Sequence, residues 1–356
     1  MVWPRDVRNR IRNHRARGKI SDKREIALLS GTHRFAVTGG AGFIGSHIVD
    51  LLVRQYDPEI IIIDNFTQGH RENLRWALAH GRVEVVEGDI RDASLVHDTM
   101  VGVDFVFHQV GIPAGQCVED PRLAVEILAN GTFNVLEAAA LNRVKKVIAA
   151  SSASVYGLAD IFPTPETHHP YNNCTLHGVA KAFNEGLLRS FHQMYGVNYV
   201  ALRYFNVYGP RMDVHSNHTE VLIRWMERLA NRQPCVIAGD GSQTMDFIYV
   251  EDIARANILA AGCDFTDEIF NIASGTEITV KDLAAVLSRV VGSSIAPDYM
   301  PVRSSCSIPR VRADVTKANQ MLGFAPAMGL EEGLAQLVSW WERQRTFDAV
   351  TAQMVV

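Results

Sequence analysis

The chain has little that would mark a secreted, membrane-bound or nucleic-acid-binding protein. Its five cysteines (117, 174, 235, 263 and 306) are scattered and no C-x-x-C occurs. That predicts a reducing, cytoplasmic setting, with neither a disulfide framework nor a zinc site. No apolar run approaches the ~18–20 residues that a membrane-spanning helix needs. The net charge is −4, so no bulk basic surface points to nucleic acid or to anionic lipid. Internal repeats and low-complexity linkers are missing too. What remains is a chain of 356 residues that is 47% hydrophobic, enough to bury the core of one large or two unequal domains.

One stretch departs from this balance. Residues 1–32 are rich in arginine, from Arg5 to Arg24, and carry no apolar segment of the kind a secretory signal contains. They are expected to form a basic extension that is solvated or packs in an oligomer. A basic arm for an anionic partner is the alternative.

The informative features begin at residue 34. Arg34 to Thr38 is a short, mostly apolar run, followed by Gly39-Gly40-Ala41-Gly42-Phe43-Ile44-Gly45 and an amphipathic stretch to Gln55. Glycines at 39, 42 and 45 between a strand and a helix allow a tight turn, close backbone approach to a pyrophosphate and free N–H groups at a helix start. A second apolar run, Ile60 to Ile63, ends in Asp64, about 20 residues beyond the loop, where an acid suits the ribose 2′-hydroxyl of NAD and repels the 2′-phosphate of NADP. Further strands are expected at Val83–Val86, Val103–His108, Val147–Ser152 and from Tyr199, with helical spacing of apolar residues between 121 and 140. Alternating strands and helices predict an α/β, doubly wound parallel sheet of the Rossmann type, with ligands at the carboxyl ends of its strands.

Several longer motifs make the chain resemble extended short-chain dehydrogenase/reductases that act on nucleoside-diphosphate sugars. They are Gly88-Asp89-Ile90, Ser151-Ser152-Ala153-Ser154, the run Arg203-Tyr204-Phe205-Asn206-Val207-Tyr208-Gly209-Pro210-Arg211, and Gly239-Asp240-Gly241 through Asp246-Phe247-Ile248-Tyr249-Val250. The resemblance spans roughly 33–345. It implies an NAD-binding domain over 33–207 plus about 247–262, and a smaller α/β cap over 208–246 and 263–345 that holds the sugar nucleotide. It also implies cofactor contacts from Gly39, Gly42, Phe43, Ile44, Gly45, Asp64, Asn65, Asp89, Ile90, Lys181 and Tyr204, and substrate contacts from Ser154, Asn206 and Arg303. A homodimer formed through 120–141 and 176–195 is the assembly it implies. No metal is expected, and no nucleic-acid or membrane partner.

The resemblance also defines the catalytic group, and here the chain departs from it. The family's Tyr-x-x-x-Lys is read as His177-Gly178-Val179-Ala180-Lys181, with Ser152 as the serine partner. Positions 177 and 181 lie one helical turn apart and face the same way. A neutral imidazole can accept a proton directly, but it is shorter than a phenol. His177 is therefore either an adapted base or a replacement in an impaired NAD-binding protein. The turn at Ser152 carries no carboxylate, unlike the T-D-E of related dehydratases or the T-S-E of related decarboxylases, and so resembles the 4-epimerases, of which UDP-glucose 4-epimerase is one. The expected function is NAD-dependent epimerisation at C4 of a nucleoside-diphosphate sugar. The alternative is an NAD(P)-dependent oxidoreductase on an unusual substrate, suggested by Met245 where the family has a phosphate-gripping arginine, with Arg211 and Arg224 as substitutes. Gln109 is bulkier than the family's usual residue, and Glu166, in a proline-flanked loop, is expected at the surface.

Overall fold

The computed structural model describes residues 33–354 apart from 171, 215–219 and 303–307, with side chains described to 346. The basic extension 1–32 and Arg303 therefore lie outside the described residues.

The described strands are β1 (Arg34–Thr38), β2 (Glu59–Asp64), β3 (Arg82–Glu87), β4 (Phe105–His108), β5 (Lys146–Ser152), β6 (Tyr199–Tyr204), β7 (Asn206–Tyr208), β8 (Val236–Ala238), β9 (Thr244–Met245), β10 (Phe247–Tyr249), β11 (Glu268–Ile272), β12 (Ile278–Thr279) and β13 (Asp298–Met300). Seven of them form one sheet in the order β11-β6-β5-β4-β1-β2-β3, and every pairing in it is parallel. A parallel sheet covered on both faces needs strands that are apolar throughout rather than alternating. β2 shows this: Ile60 and Ile62 enter one buried cluster with Phe35, Phe105 and Phe107, while Ile61 and Ile63 enter another with Val106 and Val147. Each such side chain stabilises the fold by about 1.5–3 kcal/mol when fully buried.

The strand order reverses between β1 and β4, both hydrogen-bonded through Thr38, which pairs with Ile63 on one side and His108 on the other. A crevice opens at such a switch point, beyond the carboxyl ends of the strands. A third buried cluster, including Tyr208, Trp225, Ile237, Leu283, Leu334 and Trp341, lies outside the sheet layers.

Three details differ from the sequence expectation. β10 pairs with β7 in a two-stranded ribbon rather than joining the main sheet. β11, which the sequence reading gives to the cap, is the sheet's edge strand beside β6. The helix expected over 120–141 is interrupted: Pro121–Val125 is followed by a π turn, Glu126–Gly131, and then by Thr132–Leu141. Thr132 Oγ1 donates to Leu128 O at 2.6 Å, which diverts a carbonyl from the normal ladder. The expectation of five reduced cysteines also fails. Cys117, Cys235 and Cys263 are free, but Cys174 is disulfide-bonded. No described helix is long and apolar enough to cross a membrane.

Candidate active site

The glycine loop leads into the helix Phe43–Gln55, whose start has no side-chain cap and no acid in its first turn. Its free N–H groups are therefore left for an anion, which the helix dipole favours. Two of the glycines are required for different reasons. Gly39 has φ +71° and approaches the Val110 backbone, where a Cβ would lie 3.1 Å from its nitrogen. A Cβ at Gly45 would lie 2.1 Å from Gly39 O, so only glycine lets the helix sit this close to the turn.

Around this loop lies a cavity of about 220 Å³, walled by Gly39, Gly42, Phe43, Ile44, Gly45, Asp64, Asn65, Asp89 and Ile90, with Gln109 to Ile112 on the β4 side. Nine of the sequence-predicted cofactor residues are thus brought to one crevice at the switch point. Asp64 is fixed by two backbone donors, Ala41 N at 2.9 Å and Phe66 N at 2.9 Å. Burial pushes its carboxyl above the ordinary value against those bonds. Asp89 accepts from Asn65 Nδ2 at 2.8 Å and from Arg91, and the Arg91 guanidinium holds it down at about 2. This cradle fits a dinucleotide: a pyrophosphate-sized approach at the loop and an acid at the end of β2.

Tyr204, expected at the cofactor, does not line that cavity. Its hydroxyl is buried and donates to Gln109 Oε1 at 3.0 Å, while Asn257 Nδ2 donates to it at 2.8 Å. Gln109 Nε2 in turn donates to Asn257 Oδ1 at 3.1 Å. This accounts for the larger side chain at 109: it satisfies a buried tyrosine and asparagine while its other face walls the crevice. Asn257 went unnoticed in the sequence because nothing local marks it.

The expected catalytic group lies beyond the cavity's walls, at the ends of β5 and the helix Leu176–Tyr195. Ser152 caps the turn Ala153–Tyr156: its Oγ accepts from Ser154 N at 3.1 Å and donates to Ser154 Oγ at 3.0 Å. The helix is capped by Thr175, whose Oγ1 accepts from Gly178 N at 3.1 Å, and ends at Gly196 in the left-handed region. Asn173 joins the two: it donates to Ser154 O at 2.7 Å and accepts from Thr175 N at 3.1 Å. A side chain at Gly178 would run into Ser154 O, so the helix start lies directly against the serine turn.

On that helix His177 Nδ1 is buried with no hydrogen-bond partner among the described residues. Burial, then the nearby Lys181 charge, lowers the imidazole to about 4, so it is neutral at physiological pH. Lys181 is buried and donates to Ala150 O at 2.8 Å; burial lowers its ammonium to about 8.

One turn further, Glu185 receives Arg203 through a two-pronged ion pair, Nε to Oε1 at 2.8 Å and Nη2 to Oε2 at 2.7 Å, and Ser151 Oγ donates to it at 2.6 Å. Arg203 also donates to Tyr156 Oη at 2.8 Å and to Glu166 O at 3.0 Å. Glu166 is not the surface residue expected. It is half-buried, and its carboxylate accepts from Asn271 N at 2.8 Å, so the proline-flanked loop is bound to β11.

On the expected substrate side, Asn206 Nδ2 donates to Asp246 O at 3.0 Å. Met245 is half-buried against the third cluster. Of the proposed substitutes for the missing arginine, Arg211 donates to Asp50 Oδ2 at 2.7 Å and borders the dinucleotide cavity, and Arg224 is exposed. Arg310 is nearer to Met245 in the fold: residue 310 bridges Thr244, and its guanidinium pairs with Glu277.

Comparison with known proteins agrees with this geometry. Residues 35–273 match the model of the NAD dependent epimerase/dehydratase family. A putative UDP-glucose 4-epimerase of Methanocaldococcus jannaschii is 36% identical over 307 residues, covering 85% of this chain and 97% of that protein. The UDP-glucose 4-epimerase of Mycolicibacterium smegmatis is 33% identical over 317 residues, 87% of this chain and 99% of the other. Among solved structures, a UDP-N-acetylglucosamine 4-epimerase from Methanobrevibacter ruminantium, in complex with UDP-N-acetylmuramic acid, superposes with a TM-score of 0.82 at 36% identity, covering 88% of this chain and 99% of that one. With a dinucleotide cradle at the switch point and these relatives along most of its length, the chain belongs to the family of NAD-dependent epimerases and dehydratases, which are enzymes.

Proposed function

We propose that this enzyme epimerises C4 of a nucleoside-diphosphate sugar with His177 as the acid/base. The observation that carries the reading is a half-buried, neutral imidazole whose Nδ1 is buried without a partner among the described residues, on the same helical face as Lys181 and on a helix set against a serine turn that has no carboxylate. NAD, when bound, would supply the hydride acceptor and donor that C4 epimerisation needs. His177 takes the proton of the C4 hydroxyl as the carbonyl forms and gives it back on reduction. Ser152 hydrogen-bonds that oxygen, and burial, helped by the Lys181 charge, keeps the imidazole neutral. Phe43, Ile44, Asn65 and Ile90 hold the cofactor with the glycines, Asp64 and Asp89. Lys181 and, through Gln109, Tyr204 would also hold the cofactor, while Ser154, Asn206 and Arg303 would hold the substrate. The reading keeps 33–207 with about 247–262 for the cofactor, and 208–246 with 263–345 for the sugar nucleotide, less the strand β11. A sugar nucleotide of the UDP class is favoured by what the named relatives act on.

The reading includes a homodimer, because Val125 and Phe133 from one helical segment and Val179, Phe183 and Met194 from the catalytic helix are exposed apolar side chains. Three free cysteines favour the cytoplasm as the place of action, and the Cys174 disulfide counts against it.

The test is incubation with NAD and a panel of UDP-, dTDP-, GDP- and CDP-sugars, resolving C4 epimers and following nicotinamide absorbance. Epimer exchange without net NADH supports the proposal. Net, stoichiometric NADH formation instead supports an oxidoreductase on another substrate, the reading that Met245 favours. NAD binding with neither signal overturns both and leaves a binding protein.

The pH profile gives a second check. A base must be neutral, and His177 protonates near 4; Lys181, which in this reading also holds the cofactor through its charge, loses that charge near 8. kcat/KM is expected to form a plateau between about 4 and about 8, falling on both sides. An acid limb near 6.5, the ordinary imidazole value, would show that His177 is not buried as described.

A further inference from the structure

The loop between the serine turn and the catalytic helix carries a group of side chains that the reaction does not use. Asp160, His168 and His169 bring a carboxylate oxygen and two ring nitrogens within 4.8 Å of one another. The His168 side chain is fully buried, whereas Asp160 is exposed. The two imidazoles stack with centroids 4.7 Å apart.

The hydrogen bonds of His168 give this grouping its meaning. Its Nδ1 lies 2.8 Å from His169 O, a carbonyl that can only accept. The ring proton of a neutral imidazole therefore sits on Nδ1, which leaves Nε2 with a lone pair. Nε2 faces Asp160 Oδ1 at 2.7 Å, another acceptor, with only the Asp160 backbone N–H at 3.3 Å as a donor. Two acceptors at that separation need a positive centre, either a second proton on the ring or a cation. An Nδ1–H fixed on a backbone carbonyl, with Nε2 turned to a carboxylate, is also how metal-binding histidines are oriented by their surroundings.

We propose that Asp160, His168 and His169 form a binding site for a divalent transition-metal ion of the Zn²⁺ class. Two imidazoles and one carboxylate are a borderline donor set that suits Zn²⁺, Co²⁺ or Ni²⁺ and not Mg²⁺ or Ca²⁺. Tetrahedral ligation puts donor atoms about 3.4 Å apart at metal–ligand distances near 2.0–2.1 Å. The cluster reaches that spacing if the exposed Asp160 and His169 side chains rotate about a fixed His168, with water as the fourth ligand. No C-x-x-C marks a metal site; the adjacent histidines and an aspartate eight residues before His168 form a cluster only through the fold.

The ion would tie the beginning of the loop to its end. The loop is already anchored where Thr164 N donates to Arg312 O and Asn271 N donates to Glu166. The His168 ring also packs edge-on against Tyr156 at 5.8 Å, and Tyr156 carries Arg203. The site is therefore a positioning device for the segment that leads into His177, not part of the chemistry.

The experiment is a competition titration of the full chain with Zn²⁺ against a chromophoric chelator, repeated with Co²⁺ to read its visible spectrum, for wild type, Asp160→Asn and His169→Ala. Both changes are at exposed positions, so folding is retained. The wild type is expected to bind one Zn²⁺ at micromolar or tighter affinity, with a four-coordinate Co²⁺ spectrum lacking thiolate bands and a thermal midpoint raised by about 5 °C in saturating metal. Each variant should lose at least tenfold in affinity, and the midpoint shift with it. No binding by the wild type, equal binding by the variants, or a Co²⁺–thiolate band would overturn the proposal. NAD binding and epimerase activity are read in parallel, so that failure of the metal site is distinguishable from failure of the proposed reaction.

Discussion

His177→Phe is expected to lower epimerisation by roughly 10²–10⁴-fold while leaving NAD binding unchanged. The magnitude is what a positioned acid/base contributes to a proton-transfer step. The selectivity follows from the geometry: His177 stands on the helix against the serine turn, outside the walls of the dinucleotide cavity. Phenylalanine keeps an aromatic ring at this half-buried place and removes the proton-accepting nitrogens, and an unchanged thermal midpoint assigns the loss to chemistry rather than to the larger ring. His177→Tyr is the sharper comparison. A phenol reaches farther than an imidazole, and a displacement of about 1 Å at the reacting centre costs on the order of 10²-fold. If the pocket is adapted to histidine, the tyrosine variant is therefore slower than wild type. A tyrosine variant faster than wild type would mean that histidine is a replacement in an otherwise intact tyrosine site. Single-turnover measurements with the best sugar nucleotide of the panel, alongside fluorescence titration of NAD, separate these outcomes.

How much of this was legible in the sequence depends on how local each feature is. The glycine loop, Asp64, and the Asp89–Ile90 pair were readable because strand, turn and helix follow one another within a few residues, and the structure gathers them around one crevice. The parallel sheet was readable because β-branched runs such as Ile60–Ile63 must be covered on both faces. Features that depend on distant residues were not. Gln109 stood out as too large for its place, but its reason lies in Asn257 and Tyr204, 148 and 95 residues away. Glu166 looked like a loop residue between prolines, and only the edge strand β11 shows that its carboxylate holds the Asn271 backbone. β11 was itself misplaced, because a five-residue strand after a helix reads the same whether it joins the main sheet or a small cap.

Glu185→Ala is expected to destabilise the enzyme by about 3–5 kcal/mol, the range for removing one partner of a buried pair. Arg203 is buried and its ordinary partner would be gone, leaving a guanidinium with only Tyr156 Oη and Glu166 O as acceptors. The local sequence did not disclose this residue either, although it lies one turn beyond Lys181 on the catalytic helix and answers an arginine in the Arg203-Tyr204-Phe205-Asn206 run. Its position makes the loss more than a matter of stability. Glu185 also accepts from Ser151, next to Ser152, and its charge raises Lys181 against the lowering by burial. Removing it is therefore expected to shift the alkaline limb of kcat/KM downward from about 8, because Lys181 loses its charge more readily. Glu185→Gln keeps the size and one acceptor oxygen but not the charge. It should recover part of the lost stability and none of the shift in the pH limb. Chemical denaturation of the three proteins gives the stability difference, and the pH profile of the folded fraction gives the electrostatic one. An unchanged alkaline limb in both variants would show that Glu185 holds the helix in place without tuning Lys181.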